Sequence, residues 1–378
     1  MASLPGRAVR LARPLHPGAW WLWALGMATA ASRTTNPLLL ALIVVVVAQV
    51  VGARRGDAPW ARGFKVYLVL GLIVIGVRVG FRVVLDGQYG AHVLFTLPQA
   101  PLPAFVHGVR IGGPVSAEGV LGAAYDGLRL ATLLICVGAA NVLADPRRLL
   151  KAVPPALHEA GVAVTVALTV APQLIESGQR VRRTRRLRGE SSRRFALVRT
   201  VLLPVLMDAL DRSLLLAAAM DAKGYGHTNT IERSQRVTTA ALMLGGLGGI
   251  CCGVYGLLDG TAPRALGVPM LVAGAALAWT GLVVGGRRVR RSRYRPDPWR
   301  GPEWIVAATG VAVAAVFVIT SSVDASGLIP SLQPLRWPEL PVLPALAVGL
   351  GLLPAWLAPP VQRIGVVTRA APAMANAM

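Results

Sequence analysis

Apolar runs of about 18 to 22 residues recur along this 378-residue chain, each long enough to cross the hydrocarbon core of a bilayer. The composition agrees: 54% of the residues are hydrophobic, and the mean hydropathy is +0.57. A net charge of +22 would otherwise suggest nucleic acid. Here the positive charge is gathered into short segments between the apolar runs, the distribution that keeps basic loops in the cytoplasm. No soluble basic domain is left over, so no nucleic-acid partner is expected. All of the positive charge except Lys65, Lys151 and Lys223 is arginine. Cys136, Cys251 and Cys252 sit within apolar runs without metal-ligand spacing and read as small core residues. The expected fold is an all-α polytopic membrane bundle of about eight spans.

A first helix is expected over about 19–31, with Trp20, Trp21 and Trp23 at the membrane interface. The preceding Arg7, Arg10 and Arg13 place the N-terminus in the cytoplasm. Thr35-Asn36-Pro37 turns the chain into a second helix, about 38–51, which is followed by Arg54, Arg55, Arg62 and Lys65. The third, about 66–85, carries Arg78 and Arg82 on one face, where they snorkel or face the bundle. The Pro- and Gly-rich stretch 86–118 is expected outside and irregular, with a short re-entrant or interfacial piece near 104–109. A fourth span, about 119–143, returns to Asp145-Pro146-Arg147-Arg148 and a short amphipathic segment, 149–157. Beyond a distinct region at 158–226, four ordinary spans are expected near 237–258, 264–285, 303–322 and 340–358. Both termini then lie inside, and every arginine-dense loop falls on the same side. This divides the chain into an N-terminal membrane bundle (1–157), a cytoplasm-facing helix region (158–236), C-terminal membrane helices (237–369) and a disordered tail (370–378).

The region 158–226 contains one loose pattern twice. Pro172, Glu176 and Arg180 are spaced four and four, and that segment ends at Arg188-Gly189. Pro204, Asp208 and Arg212 repeat the spacing, and their segment ends at Lys223-Gly224. Proline inside a helix removes a backbone hydrogen bond and bends the axis. Acid-to-base pairs at i, i+4 add about 0.2–0.5 kcal/mol each. A basic residue suits a helix C-terminus, and a following glycine suits a left-handed cap. Six arginines between Arg180 and Arg188 cover every side of the helix; attraction to anionic lipid and positive-inside topology account for most of them. Ala217, Ala218, Ala219 and Ala222 would admit a closely crossing helix. Two long helices with paired basic tips form a platform suited to acidic grooves on a partner.

On these residues the chain resembles the transmembrane T component of energy-coupling factor transporters, the family that includes the cobalt-transport membrane subunit. The resemblance covers about residues 15–258. It is carried by Leu15-His16-Pro17, by Thr35-Asn36-Pro37, by Arg185-Arg186-Leu187-Arg188-Gly189, and most specifically by Ala219-Met220-Asp221-Ala222-Lys223-Gly224-Tyr225-Gly226. It implies two coupling helices, two cytoplasmic ABC ATPase partners, and a separate substrate-binding membrane S component. Arg188 and Lys223 are then the docking bases, with Gly189 and Gly224 permitting close approach; Arg185, Arg186 and Asp221 flank them. The cargo class is a vitamin or a transition-metal ion, the location is the cell membrane, and ATP is used by the partner subunits. No cofactor on this chain is implied.

Three departures stand out. Leu187 replaces an alanine of the family motif, Lys223 replaces an arginine, and the chain beyond about 260 adds roughly three spans. Exchanging arginine for lysine trades a bidentate fork for a point charge. No GxxxxGK[ST] phosphate loop is present, so the chain is not expected to hydrolyse ATP or to be an enzyme. The five histidines are scattered, and His92 and His107 read as solvent-exposed loop residues. The alternative is a membrane-embedded enzyme or secondary carrier working without an ATPase, which calls for ionisable residues at mid-membrane.

Overall fold

The structure is a computed structural model, and it describes residues 15–56, 63–85, 90–100, 111–151, 158–187, 194–224, 233–259, 263, 266–288 and 298–359. The expectations for the N-terminal arginines, the piece at 104–109, most of 149–157 and the tail fall outside them. The chain forms two compact units, one made of 1–149 with 296–378 and the other of 150–295. By length and composition, seven helices among the described residues can cross a membrane, and the protein is an all-α, multi-pass membrane protein.

The first unit contains α1 (Pro17–Ser32), α2 (Pro37–Arg54), α3 (Phe64–Leu85), a hairpin of β1 (Val93–Ala100) and β2 (Ile111–Ser116), and α4 (Ala117–Leu143). The short α5 (Pro146–Lys151) extends just beyond it, and α10 (Gly301–Val323), α11 (Val342–Leu350) and α12 (Pro354–Leu357) return to it. Both N-terminal helices start on the same chemistry. His16 accepts the Gly18 N–H on Nδ1 at 3.1 Å, and Asn36 accepts the Leu38 N–H on Oδ1 at 3.0 Å. Each cap is followed by a proline at the first helical position, where the missing N–H costs nothing.

Of the helices beyond residue 260, α10, α11 and α12 belong to this unit. α1 packs on α10 so tightly that a Cβ on Gly26 would run into the Gly310 carbonyl, and one on Gly310 into the Trp23 backbone. Trp23, Met27, Val313, Phe317 and Leu328 are fully buried there with Ile43 and Val47. The Trp23 indole N–H donates to the Gly351 carbonyl at 3.1 Å. Arg54, which counts toward topology in the sequence, donates from Nε and one terminal nitrogen to the Ala355 carbonyl (3.0 and 2.7 Å) and from the other to Pro359 (3.1 Å). The turn between α1 and α2 holds the segment 324–341. Thr34 donates its hydroxyl to the Leu328 carbonyl at 2.7 Å, and the Asn36 amide donates to the carbonyls of Gly327 (3.0 Å) and Glu339 (2.7 Å).

Three expectations change. The stretch 86–118 is not wholly irregular: β1 and β2 pair antiparallel within it. Val93, Leu94, Phe95 and Thr96 favour a strand, Pro98 is tolerated on an edge strand, and Gly112 and Gly113 supply positive φ values of 81° and 124°. His92 is also not simply solvated, because Glu118 accepts from its backbone N–H at 3.1 Å and contacts its Nδ1 at 2.8 Å. His107 lies outside the described residues. Among the eight expected spans, α1 has only 16 residues and the apolar stretch Val342–Leu357 is interrupted, whereas Ala160–Thr184 has the length and composition of a span.

The second unit holds two helix pairs: α6 (His158–Leu187) with α7 (Arg194–Ala222), and α8 (Arg233–Leu258) with α9 (Val268–Arg288). In α8–α9 a row of glycines replaces side-chain interdigitation. An ideal Cβ on Gly274 would stand 2.5 Å from the Gly249 carbonyl carbon and the Ile250 nitrogen, and one on Gly253 would stand 2.5 Å from the Leu271 nitrogen. Lipid tails are as apolar as leucine, so close backbone packing is what holds such a pair together. We expect Gly274→Leu to destabilise the pair by about 1–3 kcal/mol, the usual cost of overpacking. Gly248→Leu should be tolerated, since nothing lies within 4 Å of a Cβ there. Thermal unfolding of both variants in neutral detergent checks this; equal melting points would refute it.

Candidate functional site on the paired helices

The two copies of the proline–acid–base pattern lie on α6 and α7, and both helices run continuously through their prolines, Pro172 and Pro204. The helices cross antiparallel: Gln173 meets Arg212, Ser177 meets Asp208, and Gly178 faces Val205. Ala217, Ala218, Ala219 and Ala222, which promised a close crossing, are exposed, and the contact falls nearer Pro204.

Asp208 is the hub of the crossing. Its Oδ1 accepts from Arg212 Nε at 3.1 Å, and its Oδ2 accepts from the Ser177 hydroxyl at 2.8 Å. The expected i, i+4 pair of Asp208 and Arg212 is therefore formed. Its counterpart is not: among the described residues no ion pair joins Glu176 to Arg180. Glu176 is exposed, while Arg180 lines the cleft beside Asp208 on the neighbouring helix. The two copies are thus alike in sequence and unlike in role. Arg212, then Ser177 and the nearby charge of Arg180, hold the Asp208 carboxyl below the usual carboxylate range.

A carboxyl with a depressed folded pKa stabilises above its unfolded value of about 3.9 and loses that contribution as pH falls through the lower folded value. Hydrogen-exchange protection of 173–184 and 204–212 should therefore hold from neutral pH to about pH 5 and drop only below about pH 4. Asp208→Ala should show the lowered protection at every pH; unchanged exchange in that variant would count against the hub.

The tips lie further along. α7 ends at Ala222; the Lys223 N–H bonds the Met220 carbonyl at 3.1 Å and the Gly224 N–H bonds the Asp221 carbonyl at 2.8 Å. Gly224 adopts φ +75°, the left-handed conformation that glycine takes without strain. Asp221 and Lys223 are exposed beside it. On α6, Arg185 and Arg186 occupy the last turn, and Leu187 ends the helix with its side chain 83% exposed. Arg188 and Gly189 lie outside the described residues.

Sequence reasoning missed Ser177 and Gln173. Ser177 is buried within the crossing. A Ser-Gly step between an apolar and an arginine-rich half of one helix was the available signal.

The fold and the paired helices define a multi-pass, all-α membrane protein with a charged interhelical crossing. No family model matches the sequence, and no curated protein is significantly similar to it.

Proposed function

We propose that the chain is the energy-coupling membrane component of an importer of the energy-coupling factor type. In this reading it links two cytoplasmic ABC ATPases to a substrate-binding membrane subunit in the cell membrane, with both termini in the cytoplasm. The cargo is a vitamin or a transition-metal ion. The observation that supports it is the tied pair α6–α7: two long helices fixed at one crossing by Asp208, one of them ending in an exposed lysine before a left-handed glycine. A fixed crossing lets a push at a helix tip move the whole pair as a lever. ATP is hydrolysed by the partners, and this chain supplies docking bases at Arg188 and Lys223.

The test is co-purification of the full chain with its genetically adjacent ATPases, before and after Arg188→Glu with Lys223→Glu. Loss of the complex and of stimulated ATP hydrolysis is expected. An intact complex with an unchanged hydrolysis rate rules the mechanism out.

One observation favours the other class, a carrier acting alone. Arg78 on α3 and Asp126 on α4 approach to 3.7 Å within two candidate spans, and charged groups at that depth mark transport paths in many membrane proteins. They line a cavity of about 650 Å³ together with Arg82 and Glu118. Uptake by liposomes containing this chain and no ATPase would select that reading.

A further inference from the structure

The cleft between α6 and α7 has a chemistry that the coupling reading does not use. It is an open groove of about 440 Å³ lined by Ser177, Arg180, Val181, Thr184, Pro204, Asp208 and Arg212. Most of its polar groups are already engaged. Ser177 and Arg212 bond Asp208, Arg212 also donates to Gln173 Oε1 at 3.3 Å, and the Thr184 hydroxyl donates to the Arg180 carbonyl at 3.0 Å. The Arg180 guanidinium makes no side-chain hydrogen bond or ion pair among the described residues. Asp208 offsets Arg212, so the cleft retains one net positive charge, on a planar fork suited to two oxygens of one phosphate.

Its place along α6 narrows the ligand. Residues 161–175 contain no ionisable side chain, whereas six arginines follow between Arg180 and Arg188. A helix makes that change where it passes from hydrocarbon to headgroups. Exposed apolar side chains continue along both helices: Ile175 on α6, and Leu203, Met207 and Leu210 on α7. A free anion would use the arginine alone; a phospholipid would use the arginine for its phosphate and the apolar surface beside 161–175 for its acyl chains.

We propose that this cleft binds the phosphate of an anionic phospholipid, with Arg180 as the recognising group. The proposal requires the multi-pass membrane reading and is independent of the ATPase partnership.

Native mass spectrometry of the full chain in neutral detergent, supplied with phosphatidylglycerol or phosphatidylcholine, tests it where no charged surface contributes. Wild type should retain phosphatidylglycerol in preference to phosphatidylcholine. Arg180→Gln should lower retention about fivefold, the factor equivalent to the ~1 kcal/mol of one basic residue at an anionic headgroup. Thr184→Leu fills the cleft without altering charge and should lower it as much. Arg182→Gln, an exposed neighbour outside the cleft lining, should change retention by less than about twofold, being outside the site. Excess inorganic phosphate should leave the lipid in place. The assignment is overturned if Arg182→Gln matches Arg180→Gln, if Thr184→Leu binds like wild type while unfolding at the same temperature, or if phosphate alone displaces the lipid.

Discussion

Gly310→Leu should cause the largest loss of stability of any single change considered for this protein, at or above the ~3 kcal/mol upper end of ordinary overpacking. The usual relief is closed at this site. A Cβ on Gly310 would stand 2.9 Å from the Trp23 carbonyl oxygen and 3.1 Å from that of Leu22, with the Trp23 Cα nearer still. These are backbone atoms, so α1 would have to move bodily away from α10. That motion would pull the Trp23 indole from the Gly351 carbonyl and open the packing around Met27 and Phe317. In lipid, a separated helix pair does not lose contact with water as a penalty; it loses dispersion contacts and a satisfied indole N–H. A fall in the melting midpoint of roughly 5–10 °C follows from that free energy. Gly52→Leu is the matching control, since nothing lies within 4 Å of a Cβ there. Melting followed by size-exclusion chromatography in neutral detergent reads both; a Gly310→Leu protein as stable as Gly52→Leu would show the α1–α10 contact to be dispensable.

The second large effect concerns the helix tips. Under the proposed coupling role, reversing both charges, Arg188→Glu with Lys223→Glu, should weaken ATPase association by at least about a hundredfold, because disrupting a desolvated charge pair costs about 2–5 kcal/mol. The single changes should differ. Arg188→Ala removes a fork with two parallel donors, whereas Lys223→Ala removes a point charge, so the first should cost more. Lys223→Arg should tighten the complex. Equilibrium binding of the purified ATPases to each variant in nanodiscs measures the order, and equal losses from the two alanine variants would remove the asymmetry.

Much of the membrane architecture was readable because lipid imposes it locally. A run such as 64–85 or 301–323 states its own helix, and the His16-Pro17 and Asn36-Pro37 steps state where helices begin. Pairing was less readable. The glycines at 246, 249, 253 and 274 are apolar and small, so they blend into any hydropathy profile, and their meaning appears only when two helices are laid together. Of the candidate site, Asp208 with Arg212 was legible as an i, i+4 pair. Glu176 with Arg180 had the same spacing, yet Arg180 lines the cleft between the two helices and no ion pair joins it to Glu176 among the described residues, which no local rule can anticipate. The pairing of β1 with β2 was hidden for a related reason: proline and glycine counts suggested an irregular loop where the strand-forming runs are short.

The lock at Asn36 has a consequence for how the protein is made. Its amide and the Thr34 hydroxyl are satisfied by carbonyls at 327, 328 and 339, about three hundred positions later in the chain. At roughly 5–20 residues per second of synthesis, that separation is tens of seconds. Throughout that interval α1 and α2 exist without α10, and Trp23, Gly26 and the turn at 34–36 lack the partners that 310, 327–339 and 351 later supply. The earliest helices therefore wait for the latest ones before their packing can close.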